Sequence, residues 1–176
     1  VTASNQDARL NPTTTLFPNV SSWSYGFWLK RNSSDALTTD EFIFSQRSVA
    51  YRGGSVFLRD FNDMLTFNFR TGGSHNYVSM ASVASLGTAW HHVTVTYDGT
   101  TYRAFLDGNQ VATGTGTQDA FDTTNVSVGS DNTGSYASVA VDEIKIYGYP
   151  RTPQQIVEDM NGDHPIGGSP VGSQVA

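Results

Sequence analysis

The sequence predicts an antiparallel all-β domain, and three observations carry that prediction. Short alternations of apolar and polar residues recur along the chain, each bounded by Gly, Asn, Asp or Ser, which is the pattern of half-buried strands separated by turns. Two of these segments end in Asp-Gly, at Asp98-Gly99 and Asp107-Gly108, the dipeptide most favoured in tight hairpin turns. Helical periodicity is scarce, with one clear instance near the C-terminus.

Taken in order, residues 23–30 place Trp23, Tyr25, Phe27 and Leu29 on one face and Trp28 and Lys30 on the other, so the first set is read as core. Trp28 is out of phase with that set. It is either a sugar-stacking platform on an open sheet face or a ring covered by a loop, and the loop is favoured. Residues 42–46 and 55–59 alternate in the same way. Residues 64–70 put Leu65, Phe67 and Phe69 inward and Thr66, Asn68 and Arg70 outward, with Phe61-Asn62-Asp63 as a hairpin turn. Residues 92–97 and 102–106 precede the two Asp-Gly turns. After a Gly/Thr-rich loop, residues 125–129 and 139–147 add two strands, for about ten to twelve in all at usual strand lengths. The helix spans residues 152–160, where Thr152 can N-cap, Pro153 suits the first helical position and Gln155 completes a capping box. Its expected role is to close the fold.

A chain of 176 residues fits one domain on the prior of about 150 residues each. The domain is assigned to residues 1–163, and the Gly/Ser/Pro-rich stretch 164–176 has the composition of a flexible linker to neighbouring domains. Cysteine is absent, which excludes disulfides. The net charge of -6 argues against nucleic acid, whose binding is dominated by basic contacts to phosphate. The longest apolar runs, such as residues 42–44, are far too short for membrane insertion. No leader precedes Val1, so a signal peptide is expected to be removed or to lie upstream.

Four blocks together resemble the laminin G-like, concanavalin A-like jelly-roll domains of secreted proteins. They are Leu10-Asn-Pro-Thr13 leading into Tyr25-Gly-Phe-Trp-Leu-Lys30, Trp90-His-His-Val-Thr-Val-Thr-Tyr-Asp-Gly99, Ala104-Phe-Leu-Asp-Gly-Asn109, and Val141-Asp-Glu-Ile-Lys-Ile-Tyr147 followed by the capped helix. The resemblance covers nearly everything from about residue 10 to residue 162. It implies an antiparallel two-sheet jelly-roll β-sandwich with a short C-terminal helix, in a secreted or cell-surface protein. It also implies a structural calcium at Asp142, held with backbone oxygens from the N-terminal segment and an early loop. Family members usually carry a further apolar strand before the Leu-Asn-Pro segment, so the first strand is expected to be altered or missing. This superfold hosts lectins, glycan-binding modules, adhesion domains, glycoside hydrolases and lyases, so function has to be argued from residues.

Retaining glycosidases need two carboxyl groups about 5 Å apart. The three glutamates, Glu41, Glu143 and Glu158, have no second carboxylate two or four residues on within a strand pattern, and Asp40 and Glu41 point to opposite faces. A Ser nucleophile elbow, a zinc motif and a phosphate loop are missing. A lyase using Arg70, His75 and Tyr77 is the less favoured enzymatic alternative, and the expected function is non-catalytic carbohydrate binding. His91 and His92 face opposite ways and read as framework beside a packed Trp90. The outward residues of the central strands are Phe57, Arg59, Thr66, Asn68, Arg70, His92, Thr94, Thr96, Arg103 and Phe105. Among them Arg59, Asn68, Arg70 and Arg103 carry planar donors suited to carboxylate or sulfate, which points to an anionic polysaccharide if they share a face. A merely solvated face is the plainer alternative. Three Gly-containing loops, residues 48–54, 71–77 with His75 and Tyr77, and 130–136 with Tyr136, are rim candidates. The alternative to a glycan is a protein-binding adhesion role. The Asn-X-Ser triplets at Asn19, Asn32 and Asn125 are expected by chance in a Ser/Thr-rich chain.

Overall fold

A computed structural model describes residues 8–10, 21–47, 53–119, 126–131 and 135–162. Its strands form two antiparallel sheets, a jelly-roll sandwich. The six-stranded sheet runs β1 (Ala8–Leu10), β10 (Val126–Val128), β3 (Glu41–Arg47), β4 (Gly53–Arg59), β5 (Met64–Thr71), β6 (Ser74–Ser82). The five-stranded sheet runs β11 (Val139–Tyr147), β2 (Trp23–Arg31), β7 (Trp90–Tyr97), β8 (Thr101–Leu106), β9 (Asn109–Thr115). A single turn of helix, α1 (Val83–Leu86), follows β6, and α2 (Pro153–Asn161) follows β11. The linker residues 164–176 and the Asn-Pro-Thr block lie outside the described residues. Among those described, no helix is long and apolar enough to cross a membrane.

Alternation builds the interior. Trp23, Tyr25, Phe27 and Leu29 of β2 join Val93, Val95 and Tyr97 of β7 against Ile43, Phe44, Val56, Leu58, Leu65, Phe67 and Phe69 of the other sheet, all buried. Each such large side chain contributes about 1.5–3 kcal/mol on transfer out of water. Their rings interlock across the sandwich. Phe69 stacks on Tyr102 at 3.8 Å between centroids and Tyr102 on Tyr97 at 4.2 Å.

The turns follow from local chemistry. Asp107 and Gly108 have φ of 50° and 77°, so both central residues of the β8–β9 hairpin are left-handed, as a type I′ turn demands. Gly108 is required twice, since a Cβ there would also meet Val157 Cγ2 at 3.1 Å and Met160 Sδ at 3.3 Å.

Two strands stand where the sequence suggests loops. Residues 74–77, expected within a rim loop, open β6, and the Gly/Thr-rich stretch after Gly108 opens with β9. Both are edge strands. Trp28 is covered, by α2 rather than by the expected loop. Ile156 and Met160 of α2 close over Phe105 and Trp28 on the outer side of the five-stranded sheet, forming a second small core. The capping box is formed, with Thr152 Oγ1 accepting from Gln155 N and Gln155 Oε1 accepting from Thr152 N. Arg151 and Asp159 pair beside it, and Tyr147 Oη and Lys145 Nζ donate to Asp159 at 2.8 and 2.9 Å.

Candidate binding face

The outer side of the six-stranded sheet carries a cavity of about 210 Å³ lined by Asp40, Phe42, Ser55, Phe57, Asn68, His75 and Tyr77. Strand alternation brings Ser55 and Phe57 of β4, Asn68 of β5, and His75 and Tyr77 of β6 to this side, in register. Phe42 arrives by a different route. The β3–β4 register shifts between Phe42 and Phe44, so Phe42 pairs Phe57 while Ile43 and Phe44 both enter the core. Such a bulge adds one residue and turns the side chains before it to the other face. Phe42 and Phe57 then stack at 4.7 Å, nearly parallel.

The floor is buried and the rim is open. Phe42, Ser55, Phe57 and Asn68 are buried, whereas Tyr77 is 46% exposed. Tyr77 meets Phe57 edge to face and His75 nearly parallel, and the Arg59 guanidinium lies 4.1 Å from the Tyr77 centroid, a cation–π contact. Arg59 is also 5.2 Å from Phe61, at the hairpin tip. His75 Nδ1–H donates to Asn68 Oδ1 at 3.2 Å, and Asn68 Nδ2 donates to Asn76 O at 3.3 Å, so the amide orientation is set from both sides. Asp40 Oδ1 accepts from Asp60 N at 3.0 Å. Burial pushes the Asp40 carboxyl up, the Asp60 backbone bond and Arg59 hold it back, and the neighbouring Asp60 carboxyl adds to the rise. Aromatic rings, an amide, an imidazole, a hydroxyl and a carboxyl facing one hollow can take the C–H faces and hydroxyls of a sugar.

Of the residues singled out in the sequence, Asn68, His75 and Tyr77 line this cavity, and Arg59 packs on its rim. Arg70 points to the same side but lies at the β5–β6 turn, where Nε donates to Gly73 O at 2.8 Å and Asp119 is 4.0 Å away. Arg103 does not join them. It lies on the five-stranded sheet, where Nη1 donates to Asp98 at 2.7 Å, and that guanidinium holds the Asp98 carboxyl well below the usual range. The expected cluster of four planar donors is therefore divided between two sheets. Tyr136 bridges Ser130 beyond β10, on the far side of β3 from the cavity. Residues 48–52 and 132–134 of the rim loops lie outside the described residues. His92 faces outward as expected, yet it is buried against Trp28, and burial lowers its pKa to about 4. Trp90, read as packed, is 44% exposed at the start of β7. Asp40, Phe42 and Ser55 were not distinguishable in the sequence as site residues. Asp40 precedes its strand, and a strict alternation assigns Phe42 to the core.

Asp142 is exposed at the β11 bulge, where its Oδ1 accepts from Glu143 N at 2.9 Å. Calcium takes six to eight oxygens. Among the described residues no group of three or more His, Cys, Asp or Glu could hold a metal ion, so a calcium at Asp142 would draw its other ligands from backbone oxygens, as the resemblance implies. Residues 1–7 and 11–20, the N-terminal segment expected to supply backbone oxygens, lie outside the described residues.

The family model described as the concanavalin A-like lectin/glucanases superfamily matches residues 2–157. Among solved structures, the fold is shared with the binding domain of botulinum neurotoxin serotype D, with a TM-score of 0.70 at 12% identity, covering 88% of this chain and 40% of that one. It is shared also with the binding domain of botulinum neurotoxin DC in complex with SialylT, with a TM-score of 0.64 at 14% identity, covering 78% and 35%. The serotype C1 binding domain gives 0.59 at 16%, covering 77% and 35%. The chain thus spans 35% to 40% of the length of these domains, and identities this low carry the fold alone. No curated protein matches the chain.

Proposed function

Because the chain belongs to the concanavalin A-like lectin/glucanases superfamily, we propose that it is a non-catalytic carbohydrate-binding domain whose glycan lies on the outer side of the six-stranded sheet. The observation that carries the reading is the cavity itself, in which Phe42, Phe57 and Tyr77 meet Ser55, Asn68, His75 and Asp40. Rings supply apolar faces and the amide and imidazole fix orientation, the mix expected of a ligand hollow. The single guanidinium at the rim, opposed by Asp40 and Asp60, favours a neutral or sparsely charged sugar over the anionic polysaccharide that a shared arginine cluster would favour. Hydrolysis is disfavoured by the carboxyls available, since Asp40 is the one carboxylate among the residues that line the cavity, whereas a retaining pair requires two about 5 Å apart. Glu41 is turned away, accepting from Ser138 N at 3.0 Å. The domain would serve a secreted or cell-surface protein with further domains attached. A calcium ion at Asp142, completed by oxygens from outside the described residues, remains part of the proposal as a stabilising ion, and melts in chelator and in millimolar calcium test it.

A glycan array probed with the wild type and with His75→Ala tests the main reading. Binding by the wild type and its weakening in a variant with unchanged Tm are the expected results. Release of reducing or unsaturated ends from any bound glycan overturns the non-catalytic assignment. Phe61, 82% exposed at the β4–β5 tip, favours a second reading as a protein-binding adhesion domain. In that case the array stays blank and Phe61→Ala abolishes capture of the protein partner.

A further inference from the structure

We infer that the ligand is an extended chain of several sugar units, which leaves the outer-face cavity over Tyr77 and continues in a groove along the open side of the sandwich. This rests on the reading above and specifies it. The groove, about 420 Å³, runs between the two free edges β6 and β9. Tyr77 lines both hollows, so they are neighbouring parts of one continuous surface with a half-exposed aromatic ring at the junction.

The groove is built for a polar, uncharged chain. Its floor includes Val78 and Gly114, and a Cβ at Gly114 would approach Val78 Cγ2 to 2.9 Å, so this glycine lets the two edges close together beneath the groove. Its walls carry Asn76 and Ser79 on one side and Thr113 and Thr115 on the other, amide and hydroxyl groups matched to sugar hydroxyls. Edge strands usually carry charge, proline or a bulge that prevents pairing with another strand. Residues 74–79 and 112–115 contain no charge and no proline, and the register shifts of β6 and β9 come only at the ends of these segments, between Ser79 and Ala81 and between Gln110 and Ala112. The edges therefore keep accessible backbone donors and acceptors, to which hydroxyls can bond. From β3 to β6 the path is three strand spacings, about 14 Å, and crossing to β9 adds about 10 Å, the distance between packed sheets. A disaccharide cannot fill both.

The test offers matched di- and hexasaccharides of cellulose, xylan, chitin, galactan and polygalacturonate. For the series that binds, the hexasaccharide is expected to bind roughly tenfold more tightly than the disaccharide. Thr115→Trp and Ser79→Trp, both at exposed positions, should each bring the hexasaccharide down to the disaccharide level, with disaccharide affinity and Tm unchanged. Equal affinities for the two lengths, both weakened by His75→Ala, overturn the groove and leave the outer-face reading standing. A hexasaccharide advantage that survives both tryptophan variants also overturns it. Binding of no series, or binding that ignores His75→Ala, overturns the outer-face reading and the groove with it. A dimer in sedimentation that Thr115→Trp dissolves, or an extended peptide that Thr115→Trp displaces, assigns the edges to strand pairing and overturns the inference.

Discussion

On the five-stranded sheet the outward residues Trp28 and Phe105 lie beneath α2, with His92 buried against Trp28, whereas on the six-stranded sheet Phe57, Asn68, His75 and Tyr77 line a hollow. The two sets are alike in kind. Each combines aromatic rings and a histidine on the side of a strand opposite the core. What separates them is a cover. The chain returns after β11 with an amphipathic helix, capped at its start and tied by Arg151 and Asp159, and so makes the first face a second core. Among the described residues, no helix lies over the other face.

That contrast can be broken most forcefully at the helix. Ile156→Ala and Met160→Ala should each lower stability by about 2–5 kcal/mol in urea denaturation, while any glycan affinity on the opposite sheet is kept. If stability is unaltered, α2 is an ornament and the two faces are not opposites.

The next largest effect is on pH dependence. His92 is pushed down to about 4, chiefly by burial, with Lys145 adding to the fall and Asp159 and Asp107 opposing it. The unfolded chain takes up a proton near the usual value of 6.5, whereas the folded chain declines it until about 4. Stability is therefore fully present above pH 6.5 and falls as pH drops towards 4, by up to about 3 kcal/mol. Denaturation midpoints between pH 7 and pH 4 check this, and His92→Gln should flatten that part of the profile.

Smaller effects sharpen the open face. Tyr77→Ala should weaken the bound glycan roughly tenfold, about 1.4 kcal/mol, by titration calorimetry, with little change in Tm. Arg103→Ala, on the covered sheet and paired only at the surface with Asp98, should cost about 0–1 kcal/mol of stability and leave glycan affinity unchanged. A loss of affinity there would mean that the ligand lies on the wrong side of the sandwich for the reading given above.

Legibility in the sequence followed burial. The central strands were plain because two-residue alternation survives wherever one face is fully apolar, as in β2 and β5, and the capping box announced α2. The edges β6 and β9 were not plain. An edge strand buries little, so β6 can use Ser, His and Asn, and β9 can use Ala112 and Gly114 where a central strand needs Val or Phe. His75 and Tyr77 were thus expected in a loop, although they stand on a strand. Strict alternation also fails at Phe42, because a bulge is a one-residue event with no composition of its own. Arg103 was grouped with Arg59 and Arg70 because alternation tells inside from outside but not which sheet a strand joins.

The pairing of β2 with β11 bears on how the chain reaches this fold. Strand β2 carries Trp23, Tyr25, Phe27 and Trp28, and one of its two neighbours is formed only by residues 139–147. During synthesis from the N-terminus, its aromatic flank waits beside β7 without its second partner until most of the chain has left the ribosome. Pairing over so long a separation carries a loop-closure entropy that slows folding. Completion is then a late, cooperative event, and nascent chains halted before β11 expose an apolar edge of the kind that chaperones hold and that aggregates recruit.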